Sequence, residues 1–252
     1  MAKQESILKF VGNMDGLSFY KNKNGYAARK KGGVSGSRIK NDPRFERTRE
    51  NIEEFGRAAT ASKLLRSALR ATLANTRDSA MTPRLTKMFL QVVKTDPVNR
   101  RGKREVVEGD FSLLKGFEFN IASPLDRTLY AVPAVTLNRD QGSATITIPP
   151  IVPAHAIVWP EGATHCAVIS SAVELDFTTN DYGHSSFRSD AIEKDSGDVA
   201  ELVIQHTVTP QSGLPIVLTL GVEFYQLMNG EHYPLKNGAF NSLSLVAADE
   251  GE

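Results

Sequence analysis

The sequence predicts an α+β protein in which an N-terminal β-hairpin arm and a helical hairpin precede an antiparallel β-sandwich. Three observations carry that expectation. The step Asn24-Gly25 lies between short strand-like runs at 17–21 and 26–30, and Asn-Gly is a strong local hairpin signal. From Phe45 to Val93 apolar residues recur at steps of three, four and seven, the spacing of a helix face. Beyond Lys103 the apolar period falls to two, with turn signals between short segments, as in all-β sandwiches. The expected boundaries are 1–40 for the basic arm, 41–104 for the basic helical hairpin and linker, and 105–252 for the acidic β domain.

The elements follow in order. The arm contains Ile7, Leu8, Phe10 and Val11, then the hairpin, then Gly-Gly-Val-Ser-Gly-Ser at 32–37, which reads as a hinge. Asp42 is a natural N-cap, with Pro43 at the first helical position, where its missing N–H costs nothing. Phe45, Ile52, Phe55, Ala59, Leu65, Leu69 and Leu73 form one stripe along the long helix that follows. Gly56 weakens its middle by about 1 kcal/mol relative to alanine. After a break at 75–79, Thr82-Pro83 is expected to cap a second helix bearing Leu85, Met88, Phe89, Val92 and Val93. The β domain is expected to hold strands at 111–114, 117–120, 128–132, 134–138, 144–148, 156–159, 165–170, 173–177, 200–208, 216–226 and 240–246.

Charge is distributed unevenly along this plan. The formal net charge is +1, yet residues 1–104 carry 24 Lys+Arg against 9 Asp+Glu, while residues 105–252 carry 6 against 20. A split of +15 and −14 points to a polyanion partner or to complementary faces on copies of one chain. The single cysteine, Cys166, excludes an intrachain disulfide and a cysteine metal cluster. The opening MAKQESILKFVGNMDG has no unbroken apolar core of the kind a secretory signal needs. The expected address is therefore the bacterial cytoplasm, or a particle or filament released without a cleaved signal.

Catalytic patterns are weak. His155, His165, His184, His206 and His232 are scattered without metal-ligand spacing. Asp176, Asp181, His184, Ser185 and Asp190 lack the acidic alternation of a calcium loop and read as ordinary loop residues. Gly12, Gly16, Gly32, Gly33 and Gly36 fit neither a P-loop nor a dinucleotide fingerprint. The expectation is a non-enzyme with no cofactor and no metal.

The chemistry-bearing residues lie in the basic half. Lys21, Lys23, Arg29, Lys30, Lys31 and Arg38 are interleaved with Phe19, Tyr20 and Tyr26. Cations among aromatics suit a phosphate-tracking, base-stacking surface, and equally suit an edge strand kept soluble by lysines. Arg49 and Glu54, in the run Arg49-Glu50-Asn51-Ile52-Glu53-Glu54, are expected on the polar rim of a subunit interface, where neighbouring residues also pair internally. Asn229-Gly230, flanked by Phe224, Tyr225 and Tyr233, marks an aromatic-rich hairpin.

Three segments, GLSFYKNKNGYAARKKGGVS, DPRFERTRENIEEFGRAATASKLLR and GVEFYQLMNGEHYPLKNGAFNSLSLV, resemble an uncharacterised Bacteroidota protein family. That family has a hairpin arm, an R-E-N-x-x-E-F-G helix and a β domain. The resemblance implies the domain order and brings no activity with it. The expected function is that of a self-assembling filament, tube or shell subunit that polymerises head to tail through its arm and opposite-charge surfaces. The alternative is a nucleic-acid-binding protein using the arm and helices. A carbohydrate- or protein-binding sandwich is the third reading.

Overall fold

The computed structural model describes residues 2–30 and 32–251. The chain forms two compact units, Met1–Arg49 and Glu50–Glu252. The unit boundary thus falls inside the first long helix, between the expected boundaries after residues 40 and 104.

In the first unit, β1 (Ala2–Lys3), β2 (Gly12–Met14), β3 (Leu17–Asn22) and β4 (Gly25–Lys30) form an antiparallel sheet of order β1-β4-β3-β2. The expected hairpin is present, with Asn22 paired to Gly25 around Lys23 and Asn24. Gly25 takes φ +108°, while neither loop residue has positive φ. The turn is therefore a right-handed one followed by a left-handed glycine, and not the mirror-image turn that two-residue hairpins favour. That mirror-image turn occurs one step earlier: Asp15 and Gly16, at φ 44° and 77°, join β2 to β3. A short helix, α1 (Gly36–Asn41), is capped by Ser35. Asp42 then caps a 3-10 turn, Pro43–Phe45, by accepting from the Arg44 N–H.

The second unit is layered. Helix α2 (Glu46–Ala68) runs into it, and α3 (Met81–Thr95) lies against α2, where the Thr86 hydroxyl meets Ser62 at 3.3 Å. Thr82-Pro83 does not cap α3. Both lie within its first turn, and the Asp78 carboxylate upstream accepts the Ala80 N–H at 2.6 Å. The expected stripe of the long helix is buried at Leu65, Leu69 and Leu73, and the difference lies upstream in α2. Its buried residues are Glu54, Ala58, Ala61, Ser62, Leu64, Leu65 and Ala68, whereas Ile52 and Phe55 are more than half exposed.

Beyond the helices come α4 (Leu125–Thr128), β5 (Ala134–Asn138), β6 (Ser143–Ile148), α5 (Pro153–Ala156), β7 (His165–Asp176), β8 (Asp181–Arg188), β9 (Ile192–Glu193), β10 (Leu202–Thr207), β11 (Ile216–Met228), β12 (Glu231–Pro234) and β13 (Ser242–Asp249). All strand pairs are antiparallel. One sheet runs β12-β11-β7-β8, with β13 also on β11 and β9 on β7; the other is β10-β6-β5. One face of the larger sheet, with Ile169, Val173, Val217, Leu243 and Leu245, packs on Leu65, Leu69, Leu85 and Phe89 of the helical layer. Its opposite face, with Val168, Leu220, Val222 and Phe224, meets Ile146, Ile148 and Ile204 of the smaller sheet. The helical segment is therefore one layer of the second unit and not a domain of its own.

Several strand expectations fail for local reasons. Residues 111–114 form a 3-10 turn capped by Asp110, and residues 117–120 and 156–159 contribute only single bridges. Residues 128–132 follow α4 without joining a ladder. The expected strands at 165–170 and 173–177 are one strand, β7, because Ser170 and Ser171 are buried with their hydrogen bonds satisfied. The loop expected around Asp181, His184 and Ser185 is β8.

Candidate functional site

The arm sheet is two-faced. Its register places Met14, Leu17, Phe19 and Ala28 on one side, and Ser18, Tyr20, Ala27 and Arg29 on the other. Phe10 packs against Phe19 with tilted rings, their centroids 6.0 Å apart. Gln4 fixes the loop that brings Phe10 there. Its side chain accepts the Phe10 N–H at 2.9 Å and donates to the Phe10 and Ala27 carbonyls, each at 3.1 Å. Among the described residues of this unit, only Ala27 is buried. Ile7, Leu8, Phe10, Val11, Met14 and Leu17 are all exposed. A run of this kind is what interaction surfaces expose.

Two cations of the arm sheet are already engaged with its rings. Lys21 lies 5.5 Å from the centroid of Tyr26, its cross-strand partner, and Arg29 lies 5.5 Å from that of Tyr20. Lys23 projects from the turn and Lys30 ends β4, both exposed. Lys31 lies outside the described residues. Arg38 pairs with Asp42 at 3.3 Å and sits 5.9 Å over the Phe45 ring. Arg49 turns inward to its own unit, donating from Nη1 to the carbonyls of Ile39 at 2.8 Å and Asp42 at 3.0 Å.

Glu54 requires a correction. It is 2% exposed, accepts the Gly102 N–H at 2.8 Å and faces Arg104 at 3.9 Å. Its carboxylate anchors the loop after α3 and is not available to an interface or a polyanion. Helical spacing placed it correctly on the helix, but spacing does not reveal which loop folds over it.

Two polar groups in the second unit were not anticipated as units. The first centres on His206, 2% exposed. Ser170 donates to the Thr219 carbonyl at 2.7 Å, so its oxygen accepts from His206 Nε2 at 2.8 Å. Nδ1 is then the acceptor for the Ser185 hydroxyl at 3.1 Å. Burial, aided by the charge of His184, pushes the His206 pKa down to about 4, which suits a neutral ring bonded at both nitrogens. The second group joins Arg188 and Tyr225 to Glu223, which is 4% exposed. Arg188 Nη2 lies 2.8 Å from the carboxylate, and the Tyr225 hydroxyl donates to it at 2.5 Å. Burial raises the Glu223 pKa while Arg188 opposes the rise. The alternation of polar and apolar residues along β7, β8 and β11 contained these contacts in principle, but pairing them required the strand order.

Other candidates are chemically quiet. Burial pushes the Cys166 thiol up to about 12, so it is no ready nucleophile. His165 meets His232 edge to face, with centroids 4.6 Å apart. A groove of about 750 Å³ beside α2 is lined by Glu53, Arg57 and Glu105, and Arg57 is already committed to Glu105 at 3.0 Å and the Gly102 carbonyl at 3.0 Å. Among the described residues no group of three or more His, Cys, Asp or Glu side chains is placed to hold a metal ion. Among them, too, no helix is long and apolar enough to cross a membrane. Set against protein-family models, curated proteins and solved structures, the chain matches none.

Proposed function

We propose that this chain is a non-enzymatic structural subunit that assembles with copies of itself, its first unit acting as the connector. The observation that carries the reading is the arm sheet, which exposes Phe10, Met14 and Leu17 and buries only Ala27 among the described residues of its unit. Residues 1–49 hold 12 Lys+Arg against 4 Asp+Glu, and residues 50–252 hold 18 against 25. Each copy thus supplies a basic, apolar donor and an acidic acceptor, the pairing that steers head-to-tail contacts. In this reading the two facing sheets of the second unit form a sandwich-type scaffold. The family resemblance in the arm, the long helix and the closing hairpin belongs to the same proposal, as does assembly in the cytoplasm or in a released particle.

The ring faces of Tyr20 and Tyr26 are occupied by Arg29 and Lys21, which favours a protein partner over stacked nucleotide bases. The test is light scattering and negative-stain microscopy of the full chain carrying Lys21→Glu, Lys23→Glu and Arg29→Glu. Loss of the particles formed by the unaltered chain supports the proposal. Particles of unchanged size overturn it. Retardation of DNA by the unaltered chain that falls steeply with salt, without particles, replaces it with the nucleic-acid reading.

A further inference from the structure

A sheet edge offers unpaired backbone groups to any passing strand, and proteins guard such edges with charge, proline, bulges or covering segments. The second unit guards nearly all of its edges. The outer edge of β13 is covered by residues 116–119, through Gly116 N–H to Leu245 O at 2.7 Å, Leu245 N–H to Phe117 O at 3.0 Å and Phe119 N–H to Leu243 O at 2.9 Å. Strand β12 is four residues long, begins with Glu231 and ends in Pro234. Strand β8 carries Asp181 and Arg188 and is tied to β10 by the Ser185–His206 bond.

Strand β5 keeps such devices only at its ends, with Pro133 just before it and Arg139 just after it. Its five residues, Ala-Val-Thr-Leu-Asn, include no charge and no proline, and they pair with β6 in an unbroken register without a bulge. Among the described residues no strand lies on its other side. Ala134, Thr136 and Asn138 are exposed, while Val135 and Leu137 are half-buried at the rim of the inner layer.

We infer that the β5 edge pairs with the β5 edge of a second copy, antiparallel about a two-fold axis through Thr136. A strand without charge selects no charged partner strand, and pairing it with its own copy sets no like charges opposite one another. The register then places Val135 against the partner's Leu137 on the inner face, completing the apolar rim that each copy leaves half open. Thr136 meets the partner's Thr136 on the outer face, a favourable cross-strand pair. The contact is isologous and closes on itself. It does not depend on the arm, and added to head-to-tail contacts it would join two strings of subunits side by side.

The test uses the full chain with Thr136→Cys and a short bis-maleimide cross-linker. Directly opposed residues have Cβ atoms about 5 Å apart, well within its reach, and the native Cys166 is fully buried. Val203→Cys, exposed on the outer face of the same sheet, is the control. A covalent dimer for Thr136→Cys and none for Val203→Cys is the expected result. Thr136→Lys should raise the dissociation constant of this dimer about fivefold at low salt, with recovery at high salt. Equal cross-linking of the two cysteine variants, or an unchanged constant for Thr136→Lys, overturns the inference. Performed alongside Lys21→Glu, Lys23→Glu and Arg29→Glu, cross-linking separates the two contacts: loss of arm-dependent particles with Thr136→Cys still forming dimers reports on each independently.

Discussion

The two units spend their apolar residues in opposite ways. In the second unit β11 has ten consecutive buried residues, Ile216 to Tyr225, because helices cover one face and a second sheet covers the other. In the first unit a four-stranded sheet buries only Ala27 among its described residues. Sheets gain stability from a packed face more than from their ladder, so the second unit carries its own packed core and the first, among its described residues, does not. The same residue type should therefore mean different things in the two places.

Replacing one phenylalanine in each unit gives the largest contrast. Phe89 is fully buried in the helical layer, and Phe89→Ala should destabilise the chain by about 3–5 kcal/mol in denaturant titration. Phe19, half-buried against Phe10, should cost less than about 1 kcal/mol as Phe19→Ala and yet abolish the particles. Equal stability losses would erase the difference between the two units, and intact particles with Phe19→Ala would overturn the proposed connector role.

How much of this could be read from the chain depends on how local each cause is. The hairpin at Asn24-Gly25, the cap at Asp42 and the strand at 134–138 are encoded by neighbouring residues, and all three are present. The turn at Asp15-Gly16 is equally legible, since Asp-Gly is a hairpin dipeptide, and it too is encoded by neighbouring residues. What could not be read is set by contacts distant in sequence. Ser170-Ser171 looks like a break until His206, Thr219 and Thr72 satisfy it. Ile52 and Phe55 look like core until alanines take the inner face. The placement of Glu54 depends on a loop 48 residues away.

A pH titration sharpens the description of the second unit. His206 is held at about 4 against an ordinary 6.5, so the unfolded chain takes up that proton first and stability falls as pH drops from 6.5 towards 4. Glu118 is opposite in sign. Burial lifts it from 4.5 to about 7, so the unfolded chain releases that proton first and stability falls as pH rises from 4.5 towards 7. Each shift is worth on the order of 2–3 kcal/mol, and across the shared window they oppose one another. Glu118→Gln, which keeps an acceptor for the Leu125 N–H, should therefore unmask a loss of stability on acidification from pH 6.5 to 4.5. His206→Gln should do the reverse and make the chain more stable as the pH falls through that range. Glu223, also raised by burial, acts in the same direction as Glu118, so the decisive quantity is the slope of each variant relative to the unaltered chain. Parallel slopes would mean that neither group is held as its surroundings require.

The smallest expected effect tests whether the first unit has any internal scaffold. Two arginines of that unit differ in what they hold. Arg38 makes an exposed ion pair with Asp42, four residues on, and such pairs contribute at most about 0.5 kcal/mol. Arg49 is the better anchored, because its guanidinium satisfies the Ile39 and Asp42 carbonyls together at the end of α1, a pair of bonds worth about 1 kcal/mol net. Hydrogen exchange at residues 36–42 distinguishes the two. Arg49→Ala should accelerate exchange roughly fivefold there, whereas Arg38→Ala should change it less than about twofold. Equal acceleration by both would show that α1 is held by surface charge alone. An Arg49-specific effect would show that α1 is held by its own hydrogen bonds to Arg49 even though the first unit buries only Ala27 among its described residues.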